Sequence, residues 1–194
     1  MSLSYRTFVG EDIAEVVDDL ARLRITVFRD WPYLYDGDPE YERGYLQSYA
    51  RGDTILAGAF DGDRMVGAST GMPLSDHADE FGEAFTGQEI NFNDAFYCAE
   101  SVLLKDFRGH GVGHRFFDLR EAHARGLNFT FSTFCSVVRP ADHPLRPKGY
   151  RALDPFWRAR GYAPLPGVLA AFSWRDIGET RDSRKPLQFW AKRL

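Results

Sequence analysis

Apolar and polar positions set out the elements of the chain before any chemistry is considered. Tyr5 to Val9 is a short alternating run, which predicts a first strand. Glu11 and Asp12 then open a helix, because acids favour the positive end of the helix dipole. Ile13, Val16, Val17, Leu20, Leu23 and Val27 carry a helical apolar stripe through it. The helix should stop near Arg29, since Pro32 disfavours helix in the residue before it. Pro39 opens a second short helix after the turn Asp36–Asp38. Thr54 to Phe60 and Met65 to Gly71 read as strands joined by a hairpin turn. His77 to Gly87 is mixed and acidic, a loop with a short helix. Phe96 to Leu104 is apolar without Gly or Pro, as in a buried strand. Val112, Phe116, Leu119 and Ala122 recur at helical spacing, with Gly126 as a stop. Phe129 to Val138 is rich in aromatic and β-branched residues, a further strand. Arg139 to Gly149, with Pro140, Pro144 and Pro147, is a loop. Leu153, Phe156 and Trp157 mark a short helix ending at Arg160 and Gly161. Val168–Trp174 and Leu187–Lys192 are two late strands.

The segment Arg108–Gly113, RGHGVG, lies between the buried strand and the amphipathic helix, and it is where a function becomes legible. A glycine turn at a helix start can hold phosphate on free backbone N–H groups. A P-loop would need G-K-[ST], which is missing. A dinucleotide fingerprint, G-x-G-x-x-G, fits Gly109 and Gly111 but meets His114 at its third position. The pattern R-x-x-G-x-G is met in full by Arg108, Gly111 and Gly113. A ligand-free turn is the alternative, although three glycines so close together cost backbone entropy.

Composition narrows the classes. With 194 residues, 44% hydrophobic and 15% aromatic, the chain suits one full domain over 1–194. A formal charge of −4 argues against general nucleic-acid binding. No stretch approaches a membrane span, and the N-terminus MSLSYRTF lacks a signal-peptide run, so a cytoplasmic protein is expected. Cys98 and Cys135 fall in apolar runs and read as buried reduced thiols, without a C-x-x-C pair. The Asp36–Asp38 turn is not a calcium loop: an EF-hand needs Gly and Glu where Tyr41 and Gln47 stand. His110 and His114 are four apart but have no third ligand with them, so no metal is expected.

The R-x-x-G-x-G turn, in its place between strand and helix, resembles the pyrophosphate loop of the GNAT superfamily of acyl-CoA-dependent N-acyltransferases. The order of elements is similar to that family's from end to end, although only RGHGVG is motif-specific. FWRARGY at Phe156–Tyr162 is similar to the family's late helix and its Gly-aromatic ending. The resemblance implies an α/β fold with a mixed sheet whose central strands splay apart around acetyl-CoA. It implies that Arg108, Gly109, His110, Gly111, Val112, Gly113 and His114 cradle the pyrophosphate. It also implies that a backbone N–H near Leu103, within Val102–Leu104, holds the acyl carbonyl. No metal belongs to this scheme.

A thioester is already activated, so the resemblance implies direct attack by a neutral amine, with a base to remove its proton. Glu100 is the lone carboxylate in the Phe96–Leu104 run and is the candidate base. The alternative is a structural Glu, bonded to a backbone N–H or to Arg115 or Arg120. Alternation sets Tyr97, Ala99 and Ser101 on the other face from Glu100, unless a bulge changes the register. The family's usual thiolate acid is a Tyr four residues before the helix-ending Gly, and Trp157 stands there. Tyr150 is the candidate substitute, an ordinary loop aromatic otherwise; water is a third source of the proton. Cys135 as an acyl carrier is weaker than Cys135 as a packed thiol. Arg139, Arg146 and Lys148 could meet CoA phosphates or an anionic acceptor group, or form a solvated basic loop.

The acceptor amine falls to the segment Trp31–Tyr49, one wall of the acceptor site in similar proteins. Trp31, Tyr33, Tyr35 and Asp36 are its candidate residues, with Asp38, Glu40 and Glu42 adding charge that suits a small cationic amine. The alternative is a solvated acidic helix with Tyr41, Tyr45 and Tyr49 packed on the core. Two rival functions stand beside acetyl transfer: a non-catalytic acyl-CoA-binding module, and a dinucleotide-dependent oxidoreductase. The sequence leaves the oligomeric state open, a homodimer included.

Overall fold

A computed structural model describes residues 3–194, so the first two positions of the N-terminal stretch lie outside the described residues. β1 (Ser4–Val9) enters a 3-10 turn, Gly10–Val16, before α1 (Val17–Phe28). The apolar stripe read as one helix thus begins as a tighter coil. α2 (Pro39–Gln47) starts on Asp38, whose carboxylate accepts the Tyr41 N–H at 2.8 Å. The hairpin is β2 (Ile55–Asp61) and β3 (Arg64–Pro73); α3 (Ala78–Phe81) lies in the acidic loop. The expected single strand Phe96–Leu104 is two pieces, β4 (Ala95–Tyr97) and β5 (Ser101–Leu103). α4 (Val112–Gly126), β6 (Phe131–Val137), α5 (Asp154–Ala159), β7 (Ala163–Trp174) and β8 (Ser183–Arg193) complete the chain.

The sheet runs β1-β2-β3-β4-β6-β8-β7, with β5 paired to β3 alone. Among the described residues only β4–β6 is a parallel pair, which removes the regular βαβ series that a dinucleotide-binding oxidoreductase would need. Alternate residues of β2 face opposite sides. Leu56 joins the core under α1 and α2, with Leu20, Leu23 and Leu46, whereas Ala57 joins Val112 and Phe116 of α4. Both faces of the sheet are therefore covered.

The break in the central strand has a clear cause. Met72 pairs with Tyr97, but Ser69 pairs with Ser101, so the register against β3 slips by one residue between them. Ala99 and Glu100 both face Thr70: Ala99 N–H goes to its carbonyl (3.1 Å) and Glu100 N–H to its hydroxyl (3.2 Å). This is a β-bulge. Arg120, buried on α4, straps it by donating to the carbonyls of Glu100 (2.9 Å) and Thr70 (3.2 Å). Beyond the bulge β5 follows β3, while β6 continues with β8 only. The central strands thus part, as the splayed sheet requires.

Two buried acids tie the late elements down. Glu121 of α4 accepts from Lys192 (2.8 Å) and Arg160 (3.2 Å). Asp176 accepts from Arg139 (2.6 Å) and pairs with Lys185 (3.0 Å). Burial pushes both carboxyl groups up, but their cationic partners outweigh it and hold them below the usual range. A depressed folded-state value means that stability is present above the unfolded carboxylate range and lost as pH falls through the folded value. The melting temperature should therefore hold from neutrality to about pH 4.5 and drop below it. Glu121→Gln should cost about 3 kcal/mol at pH 7, chiefly by stranding Lys192 since Arg160 keeps Asp118 (2.8 Å), and flatten that acid limb. Thermal melts of both proteins across pH 2–7 check this; parallel acid limbs would contradict it.

Candidate active site

The glycine turn forms because Gly109 and Gly111 take φ of 82° and 80°, values that L side chains rarely adopt. Gly111 caps α4, and the first α-helical bond beyond it is Arg115 N–H to Gly111 carbonyl, 3.2 Å. The N–H groups of Val112, Gly113 and His114 have no helical acceptor, so they point out along the helix axis. A Cβ on Gly109 or Gly111 would meet only open space. Val112 is buried and anchors the turn to the core, while His110 is exposed. The His114 ring packs on Phe156 at 4.8 Å, near Arg160. The Arg108 side chain turns back, donating to the Leu103 carbonyl (3.1 Å) and approaching Asp30 (3.6 Å). It fixes the turn against β5.

Of the three central-strand positions, Leu103 stands apart. Leu104 gives its N–H to Val66 (3.0 Å), and the Glu100 carbonyl takes the Thr70 N–H (3.1 Å). In an antiparallel ladder the residues between such pairs turn their polar groups the other way. The Leu103 N–H therefore faces the gap between β5 and β6, whereas the backbone groups of Val102 and Leu104 face β3.

A cavity of about 530 Å³ opens beside this gap. Its floor is Tyr97, Ala99 and Glu100, with Cys135 of β6 opposite. The bulge brings Glu100 round to the face of Tyr97 and Ala99, overturning simple alternation. Tyr33, Tyr35 and Asp36 line one wall, Tyr41, Tyr45 and Tyr49 another, and Trp174, Arg175 and Asp182 close it from the β7–β8 hairpin. Three of the four expected acceptor residues meet here. Trp31 does not: it packs on His143 (5.1 Å) and Tyr150 (6.0 Å), outside the lining. Tyr150 is likewise outside, half-buried under Trp31 and Arg146. Burial, then Asp154, pushes its hydroxyl up.

Glu100 is 5% exposed and heavily bonded. Its Oε1 accepts from Arg24 Nη1 and from the Tyr49 hydroxyl (2.8 Å), its Oε2 from the Thr70 hydroxyl. Arg120 reaches only its backbone carbonyl, and Arg24, absent from the sequence reading, is the true ion partner. Arg24 also holds Glu42, Nε to Oε2 at 2.5 Å. Glu42 is fully buried and outside the cavity lining, which corrects both the acceptor-facing reading of this position and the solvated one. Two carboxylates thus share one guanidinium. Burial pulls Arg24 down, but Glu100 and Glu42 raise it, so it stays protonated. Two buried carboxyl groups thus stand on one cation under the cavity, an arrangement that a second cation would complete. Asp36, Asp38, Glu80 and Asp182 add acid around the walls, although Asp36 is shared with Arg175 (3.1 Å) and Glu80 with His77 (2.7 Å).

The remaining candidates separate cleanly. Burial pushes the Cys135 thiol up to about 12, so it is not a nucleophile at neutral pH. Trp157 packs between Phe134 (5.0 Å) and Trp190 (5.2 Å). Arg139 spends its fork on Asp176 and on the carbonyls of Pro32 (2.8 Å) and Tyr33 (2.6 Å), so it is not free for an anion. Among the described residues no group of His, Cys, Asp or Glu is placed to hold a metal, and no helix is long and apolar enough to cross a membrane.

By sequence, no family model and no curated protein matches the chain. Solved structures do. A ribosomal-protein-alanine N-acetyltransferase from Brucella melitensis aligns over the whole of both chains at TM-score 0.62 and 14% identity. A polyamine N-acetyltransferase from Drosophila melanogaster does so at 0.61 and 11%. The PaiA N-acetyltransferase from Thermoplasma acidophilum, solved with coenzyme A, does so at 0.56 and 10%. With the split central strand, the glycine turn before α4 and the end-to-end alignment together, the chain has the fold of the GNAT N-acetyltransferases.

Proposed function

We propose that the protein transfers an acetyl group from acetyl-CoA to the amine of a small cationic acceptor. The observation that carries this is the buried pair Glu42 and Glu100 on the single cation Arg24, beneath an aromatic cavity. An ammonium group entering there gives the two carboxyl groups a second cation and gains cation–π contact with the tyrosines, about 0.5–2 kcal/mol. The N–H groups at the start of α4 take the pyrophosphate, and the Leu103 N–H polarises the acyl carbonyl. The existence of a polyamine acetyltransferase with this fold is in keeping with the reading. A second reading, an acyl-CoA-binding module without turnover, draws on Trp157 in place of the expected phenol.

The deciding experiment measures CoA thiol release from acetyl-CoA with polyamines, amino acids, aminoglycosides, arylalkylamines and peptides at two salt concentrations. KM for the best acceptor should rise with salt, because screening weakens the attraction. It should rise again, several-fold, in Asp36→Asn/Asp38→Asn. Asn caps a helix about as well as Asp, so α2 stays formed and only charge is lost. A best acceptor without positive charge, indifferent to both changes, would refute the cationic reading. Binding of CoA without turnover of any amine would favour the module.

A further inference from the structure

We infer that Tyr45 and Tyr49 form a proton relay from the acceptor's ammonium group to Glu100, an inference that rests on the proposed acetyl transfer. The bond directions carry it. The Tyr49 hydroxyl donates its one proton to Glu100 Oε1 at 2.8 Å. The bond between the Tyr45 and Tyr49 oxygens, 3.0 Å, must then have Tyr45 as donor. The chain is polarised inward, and the lone pairs of the Tyr45 oxygen remain for a donor in the cavity that Tyr45 lines. Glu100 Oε1 already accepts from two groups, so it is poorly placed to meet an ammonium directly. Tyr41, Tyr45 and Tyr49, spaced four apart, run from exposed through half-buried to buried, a path from solvent to the acid. Burial, then the Glu100 charge, raises both inner hydroxyls well above the usual phenol range, so each stays neutral and able to accept one proton while releasing another.

The step balances. The acceptor enters as R–NH3+. One of its protons passes to Tyr45 as the Tyr45 proton passes to Tyr49 and the Tyr49 proton to Glu100. The nitrogen lone pair is freed, both tyrosines are neutral again, and Glu100 is a carboxylic acid. The amine attacks the thioester carbonyl; the C–N bond forms and the C–S bond breaks. A second nitrogen proton leaves with the thiolate as CoA thiol, and the proton on Glu100 returns to solvent along the same chain. The side-chain cation that Glu100 meets is Arg24. Arg24 of α1 is shared with Glu42 of α2, Arg120 of α4 touches only the backbone carbonyl, and His77 and Glu80 stand paired across the cavity. One guanidinium therefore serves two carboxyl groups.

The test is the pH profile of kcat for Tyr45→Phe, Tyr49→Phe and the double variant, with spermidine or the best amine of the panel. The relay predicts a fall in kcat of about 10² at pH 7 in each, with KM for acetyl-CoA kept. It predicts recovery as pH rises toward the amine's own pKa, because an amine already neutral needs no relay. Links in series also predict that the double variant is no slower than either single one. A loss that is uniform across pH, multiplicative losses in the double variant, or wild-type profiles in both single variants would overturn the relay while leaving acetyl transfer intact. Tyr45 is only half-buried, so Tyr45→Phe keeps the test open should Tyr49→Phe fold poorly. A wild-type chain that acetylates no amine overturns the functional reading, and the relay with it.

Discussion

Gly111→Val should abolish tight CoA binding in a protein that still folds. The residue caps α4 at φ 80° and a Cβ there would enter open space, so nothing in the fold is struck by the new side chain. The direct structural cost is the left-handed backbone, about 1–2 kcal/mol, borne at an exposed loop. The open space is the region onto which the N–H groups of Val112, Gly113 and His114 project. A Val side chain would bar a pyrophosphate from them, and strain would rotate the Gly111 peptide out of line. Losing two charge-assisted hydrogen bonds of about 1.5–3 kcal/mol each amounts to about 10²–10⁴ in affinity. Calorimetric titration with CoA measures this, with a thermal melt as the check on folding. Affinity unchanged in a folded Gly111→Val protein would remove the turn from the cofactor site. Arg108→Ala offers a contrast: its side chain is committed to Leu103 and Asp30, so it should weaken binding through a loosened turn and by less.

The turn was readable because its chemistry is local: glycines at positive φ, a strand before and a helix after, all within neighbouring residues. The succession of elements along the chain was readable for the same reason, since each strand's apolar pattern depends on its own burial, whereas their order in the sheet was not. What the sequence hid was long-range. Arg24 lies at the i, i+4 spacing of Leu20 and Phe28, on the buried face of α1, and Glu42 shares the buried face of α2 with Leu46. A charge at a core position of each helix was the available signal, and pairing the two would have pointed to the Glu100 cluster. The bulge at Ala99–Glu100 depends on Thr70 answering two residues at once, which no spacing within Phe96–Leu104 encodes. Trp174 and Asp182 reach the cavity only because β7 and β8 fold back over it, and they carry no mark in the sequence. Trp31 was drawn into the acceptor site by its neighbours; Tyr33 enters the cavity, while Trp31 turns toward His143.

Glu100→Gln should lower kcat by about 10²–10⁴, the usual worth of a positioned base, with CoA affinity nearly kept. The side chains have the same shape, so Thr70 and Tyr49 retain a polar partner. Arg24 keeps Glu42 and is not stranded. The fold therefore tolerates the change better than removal of a buried ion partner usually allows, which is about 3–5 kcal/mol. Two things are lost together. The amide cannot take a proton, so the amine stays protonated at neutral pH and cannot attack. One of the two carboxyl groups on Arg24 is also gone, so the pull on a cationic acceptor weakens and its KM rises. A purely structural Glu100 predicts something else: a lower melting temperature, with kcat per folded molecule unchanged. Steady-state kinetics from pH 6.5 to 10, read beside a thermal melt, separates the two. Recovery of rate as the amine deprotonates by itself would mark Glu100 as the proton's destination. An unaltered kcat in a destabilised protein would return it to the core.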